Sequence, residues 1–176
     1  VAGDVITFKT TDKSADASEL KALKDLVDNL DASSVKTITA KSTTDVTAAL
    51  AIAEDAAVTI TGNVAVADIK AILDATTGKV TATLAAGEAA ALKTALADNE
   101  VNAINVTVNG TAVAAAADDL LAIKDSTSGK ITVTAKAVTG SFDNLKELYV
   151  TSKGKFTALG DENVTISGTV SAADAN

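Results

Sequence analysis

The sequence predicts an α/β fold, a right-handed βα solenoid of about six to seven repeats with a parallel sheet on one face and helices on the other. Three observations carry that expectation. Short segments alternating an apolar residue with Thr recur at near-constant spacing, Ala-rich stretches with helical apolar periodicity fill the intervals, and glycine turns mark the joints between them.

The strand pattern reads Val35-Lys36-Thr37-Ile38-Thr39, Val58-Thr59-Ile60-Thr61, Val80-Thr81-Ala82-Thr83, Ile104-Asn105-Val106-Thr107, Ile131-Thr132-Val133-Thr134 and Val164-Thr165-Ile166-Ser167. Val5-Ile6-Thr7-Phe8 and Phe156-Thr157-Ala158-Leu159 are looser members. Successive starts from 35 through 58, 80, 104, 131 and 156 lie 23, 22, 24, 27 and 25 residues apart, the length of one strand–helix unit. Each segment has one apolar and one hydroxyl face, as expected of a sheet covered on one side only; strands covered on both sides read as continuous apolar runs. Between Phe156 and Val164 there is no room for a helical crossover, so the residues 160–163, Gly-Asp-Glu-Asn, are expected to turn a hairpin.

Helices are expected where Leu20, Leu23, Leu26, Val27 and Leu30 form one stripe, and again through Val66, Ile69, Ile72 and Leu73, through Leu92, Ala95 and Leu96, and through Phe142, Leu145, Leu148 and Tyr149. Asp16 or Ser18, Thr44, Gly87 and Ser141 are the start signals. Gly78, Gly129 and Gly154, each one Lys before a strand, are expected to cap helix C-termini in the left-handed conformation. After several strands a glycine turn (Gly62, Gly110, Gly168) leads through a short Val-containing step into an Ala-Ala-Asp-like helix start.

Composition narrows the function. There is no Trp, Met, Cys or Pro, and there are three Phe and one Tyr, so the core must be stacked from small aliphatic side chains. A net charge of −8 argues against nucleic acid and anionic membranes as partners. No apolar run approaches the roughly 20 residues of a membrane span. With no His and no Cys, the commonest general base, nucleophile pairs and transition-metal ligands are missing, and the reading is of a protein that is not an enzyme and carries no cofactor. Thr77-Gly78-Lys79 is not a phosphate loop, because Val80 follows the lysine and the turn runs from helix to strand. Among oxygen ligands, Asp161, Glu162 and Asn163 are the candidates for calcium; Asp118 and Asp119 are more simply charges favourable at a helix N-terminus.

Two surfaces are left as candidates for function. The hydroxyl rows Thr37 and Thr39, Thr59 and Thr61, Thr81 and Thr83, and Thr132 and Thr134 are expected to stand in register as a flat binding face for ice, glycan or mineral, the alternative function; Thr is also simply a good residue for a half-exposed strand. The leading expectation uses the ends. An uncapped solenoid shows an unfilled apolar layer at each end, formed here by Val5, Ile6 and Phe8 and by Val164, Ile166 and Val170. These layers would pair head-to-tail with copies of the chain as a homopolymer, or with neighbouring repeats of a longer chain. Residues 1–176 are read as one repeat domain, with an atypical N-terminal unit over 1–34 and an incomplete C-terminal unit over 156–176.

The phrases VTITGNVAVADI, VTVNGTAVAAAADDL and VTISGTVSAADAN resemble the Thr-, Ala- and Gly-rich repeats of very large secreted bacterial surface proteins, including cyanobacterial S-layer-like and adhesin-like proteins. The resemblance covers most of the chain from Val35 and lends no catalytic residue. It implies export and an extracellular or cell-surface scaffolding role, as a subunit or module of a filament, surface layer or adhesin.

Overall fold

Val or Ile alternating with Thr suits a half-buried strand, and the computed structural model extends the segments between Thr37 and Val133 with their aliphatic side chains buried, whereas Val164 and Ile166 are exposed. The structure describes residues 7–27, 29–97, 102–110 and 113–171, with side chains from residue 10. In chain order the elements are β1 (Thr7–Lys9), β2 (Ser14–Asp16), α1 (Ala17–Leu26), β3 (Asn29–Asp31), β4 (Thr37–Ala40), α2 (Val46–Leu50), β5 (Ala57–Val64), α3 (Val66–Ala75) and β6 (Val80–Leu84). They continue as α4 (Ala89–Ala95), β7 (Ala103–Val108), β8 (Ala115–Ala116), α5 (Ala117–Ser126), β9 (Ile131–Val133), β10 (Ala137–Gly140) and α6 (Phe142–Lys146). A π-helical turn (Glu147–Thr151) and a 3-10 turn (Lys153–Lys155) then lead to β11 (Phe156–Thr157) and β12 (Asn163–Ile166).

The fold is α/β, with a parallel sheet of seven strands in the order β11-β9-β7-β6-β5-β4-β2. Strands β12-β10-β8 form a second parallel sheet, and β1 pairs with β3. Two compact units divide the chain, one of residues 1–84 with 102–104 and one of residues 85–101 with 105–176.

In the first unit the inner row of the sheet runs Ala15, Ile38, Val58, Val80, so partners lie 23, 20 and 22 residues apart. The first strand of this sheet is therefore β2, not the expected segment at Val5; β1 joins β3 instead. Helix α1 packs on α2 and α2 on α3, in chain order, and Leu20, Ile38, Leu50, Ile69 and Ile72 fill the interior. Asp16 caps α1 by accepting the Ser18 amide at 2.9 Å and the Ser18 hydroxyl at 2.6 Å, which together hold its carboxyl below the ordinary range. The helix stops at Leu26, which is exposed, and Leu30 belongs to β3, so the long stripe expected from Leu20 to Leu30 is divided between two elements. Buried Asn102 accepts the Val80 amide at 2.7 Å, its side chain standing in for a backbone carbonyl.

Gly78 does not take the left-handed conformation expected of a helix cap. Among the described residues only Gly160, Gly168 and Ala158 have positive φ. Helix α3 instead ends on an extended Thr76, whose hydroxyl donates to the Ala56 carbonyl at 2.8 Å and accepts the Gly78 amide at 2.9 Å. A Cβ on Gly78 would stand 2.4 Å from the Ala56 oxygen and 2.7 Å from the Ala57 nitrogen, so glycine is needed because neighbouring backbone passes over it. Thr127 repeats the turn after α5, accepting the Gly129 amide at 3.0 Å. Gly154 lies in the 3-10 turn with open space around it.

In the second unit, Val106, Ile131 and Phe156 form the inner row of one sheet and Ala115, Val138 and Val164 that of the other. Helices α4, α5 and α6 pack in chain order, with Leu92, Leu96, Leu120, Ile123 and Leu148 buried. Asp118 and Asp119 lie in the first turn of α5, as expected, and Asp119 takes an ion pair from Lys93 on α4. No hairpin forms at residues 160–163. β11 pairs with β9 and β12 with β10, both in parallel, so these residues turn a corner between two sheets. Of the Val-containing steps foreseen after Gly62, Gly110 and Gly168, the first runs through the end of β5 into α3, only the second reaches a strand of the second sheet, β8, and the third follows β12; Val164 belongs to the second sheet rather than the seven-stranded one. No helix among the described residues is long and apolar enough to cross a membrane.

Candidate assembly surface

The C-terminal elements carry what the sequence places at one end. β12 is an outer strand of its sheet, bonded to β10 through the Asn163 amide to the Lys136 carbonyl (2.9 Å), with the Ser167 amide reaching Gly140 (2.8 Å) just beyond it. Parallel strands alternate the direction of their backbone groups, so Val164 and Ile166 direct N–H and C=O toward the open edge. Their side chains belong to the inner rows yet are exposed, as is Val170 further on. Val150, on the π-helical turn, is exposed too. At the other end Val5 and Ile6 lie outside the described residues, and Phe8 sits in β1, paired with Leu30 of β3. The structure thus groups Val164 and Ile166 on one strand; Val150 in the same unit and, separately, Leu26 in the first unit are also exposed, which helical spacing alone does not show.

The corner before β12 is fixed by the chain's one tyrosine. Tyr149 donates its hydroxyl to one Glu162 carboxylate oxygen, while the other accepts the Gly160 amide at 2.8 Å. Burial, with the Glu162 charge beside it, raises the ionisation of Tyr149 well above the ordinary phenol range. Nearby, Glu147 accepts the hydroxyl of buried Ser152 at 2.6 Å, which lowers its carboxyl, and lies 3.8 Å from Lys124. No family model, curated protein or solved structure matches the chain.

The calcium candidates do not converge. Asp161 and Asn163 are exposed beside a surface groove of about 460 Å³, and both Glu162 oxygens already accept hydrogen bonds. Among the described residues no three acidic side chains gather around a common point.

The threonine face has a different register from the expected one. Thr39 stands opposite Thr59 and Thr59 opposite Thr81, a single file that begins at Asp16. Thr37 faces Ser14 and Ala57, and Thr83 faces Asn63 across a register shift that leaves Thr61 out of the row. In the second unit the file is Thr107, Thr132, Thr157. Several hydroxyls are committed to carbonyls of the neighbouring strand: Thr39 to Ala15 at 3.4 Å, Thr61 to Ala40 at 3.3 Å and Thr134 to Val108 at 3.1 Å. A lattice two hydroxyls wide is not formed, because β4 is offset by two residues against β5 and the register shift in β5 displaces Thr61 by two more from Thr83.

Proposed function

We propose that the chain is a non-catalytic structural module of an extracellular filament, surface layer or adhesin, a right-handed βα solenoid that self-associates through its open end layers. The observation that carries this reading is where burial fails. Along one inner row Ala115 is 3% exposed, Val138 0% and Val164 48%. Ala115 and Val138 each have a further strand of the row beside them, whereas among the described residues no strand pairs with the outer edge of β12. Leu26 at 79%, Val150 at 73% and, mid-chain before β8, Val113 at 62% are further exposed aliphatic residues. Exposed apolar side chains beside open strand edges favour association, since burial releases about 25 cal/mol for each Å² removed from water. Support for the one-sided winding comes from helices that touch in chain order within each unit and from pairing that is parallel throughout the registers described.

Electron microscopy of the concentrated protein, with size-exclusion chromatography over a range of loading concentrations, tests the proposal. Ordered oligomers or filaments that grow with concentration are expected. Particles of a single monomeric size at every concentration would overturn it.

A further inference from the structure

Six of the described strands are outer strands of their sheets, and they are not alike: β8 is two residues long, and β1 and β3 end on Lys9 and Asp31. β11 is two residues long and follows Lys153 and Lys155; β2 follows Lys13 and ends on Asp16. Short strands and charges of this kind are the usual means of keeping an edge from pairing with another chain. β12, at four residues, is the longest of the six, and although Asp161 and Glu162 precede it no charge lies within it. From Asn163 to Ser171 no residue is charged, all are exposed, and five of the nine are β-branched: Val164, Thr165, Ile166, Thr169 and Val170. A segment free of charge can lie against its own copy without repulsion, and one rich in Val, Ile and Thr favours the extended state.

We propose that β12 is a self-recognition edge, and that two copies of this chain join by antiparallel pairing of β12 with β12 about a twofold axis. The occupant follows from the topology. The second sheet consists of β8, β10 and β12, all in the second unit, so the described N-terminal strands offer no further strand of that sheet, whereas another β12 does. The register follows from the hydrogen bonds. Thr165 points its backbone groups toward β10, as Asn163 and Ser167 do; Val164 and Ile166 point theirs outward. In an antiparallel pair the outward residues must exchange bonds, so Val164 of one copy faces Ile166 of the other. Thr165 then faces Thr165 in the non-hydrogen-bonded position, where Cα atoms approach to about 4.5 Å. The pairing also sets Val164 beside the Ile166 of the other copy, which covers the inner-row position that the chain leaves open. The contact is isologous and closes on itself.

The inference rests on the reading of self-association above, and a cysteine test separates the two. The chain has no cysteine, so Thr165→Cys places a single thiol on the proposed axis, and about 4.5 Å between Cα atoms is within disulfide reach. Thr47→Cys, on the exposed face of α2, is the control. Mild oxidation is expected to convert Thr165→Cys to a covalent dimer at least about tenfold faster than the control, and Thr165→Lys is expected to weaken association at least about tenfold by opposing like charges. If the native chain associates but Thr165→Cys crosslinks no faster than Thr47→Cys and Thr165→Lys associates normally, the β12 pairing is wrong while the assembly reading stands. If the native chain remains monomeric at all concentrations, the assembly reading itself fails and the pairing fails with it.

Discussion

Replacing Gly78 with Ala tests why glycine follows the helices of this chain. The added methyl would stand 2.4 Å from the Ala56 oxygen, 2.5 Å from its carbonyl carbon and 2.7 Å from the Ala57 nitrogen. All three are backbone atoms at the start of β5, and a carbon needs about 3.5 Å from such neighbours. The turn or the strand must therefore move by about 1 Å, which strains the Thr76 bonds to Ala56 and Gly78. Overpacking of this kind costs about 1–3 kcal/mol, against which a Gly→Ala change gains about 0.4–1 kcal/mol by restricting the unfolded chain. A net loss of about 1–2 kcal/mol is expected, a fall of about 2–8 °C in melting temperature for a chain of this size. Gly154→Ala supplies the opposite sign, because nothing lies within 4 Å of its Cβ position and only the unfolded-state gain of about 0.4–1 kcal/mol remains. Urea unfolding followed by circular dichroism measures both. A Gly78→Ala chain as stable as the parent, or a Gly154→Ala chain less stable than it, would refute the steric account.

Three further outcomes follow from the same structure. Leu120, fully buried in α5, should cost about 2–5 kcal/mol when cut to Ala, read as a lower urea midpoint. Asn102→Leu should cost about 1–3 kcal/mol, because the Val80 amide loses a buried acceptor; a neutral result would mean that the strand closes over the gap. The lone tyrosine has a raised folded-state pKa, so the stability it contributes is intact below about pH 10 and is lost as pH rises through the folded value. Absorbance near 295 nm should therefore show phenolate formation above the ordinary range in the folded chain and at the ordinary value in urea. Glu162→Gln should bring the folded titration part of the way down, since burial, the larger cause, stays.

Much of the architecture is legible in the sequence because its two periods are clean. The Thr-alternating segments from Val35 to Thr134 all contain strands of the seven-stranded sheet, and Asp16 and Ser141 cap helices as their side chains suggest. What was not legible depends on contacts between distant segments. Ser14-Ala15-Asp16 has no apolar alternation, and only its place 23 residues before Thr37 marks it as a strand. Val164 has the same local pattern as Val58, and nothing local says that it pairs with Val138 in another sheet. Gly78 stands between helix and strand as its spacing suggests but for a different physical reason, since a neighbouring backbone 2.4 Å from a missing Cβ leaves no trace in composition. Val164, Ile166 and Val170, which the repeat pattern singles out, are exposed, whereas the exposure of Leu26 and Val150 needed the packing of α1 and of the last turn to be seen.

Sedimentation equilibrium of the unmodified chain tests the central claim most directly, because it weighs the particle without asking what shape it has. The weight-average mass is expected to climb above the 17.5 kDa of one chain as concentration rises through the micromolar range, passing through the dimer. A mass fixed at 17.5 kDa up to the solubility limit would contradict the account.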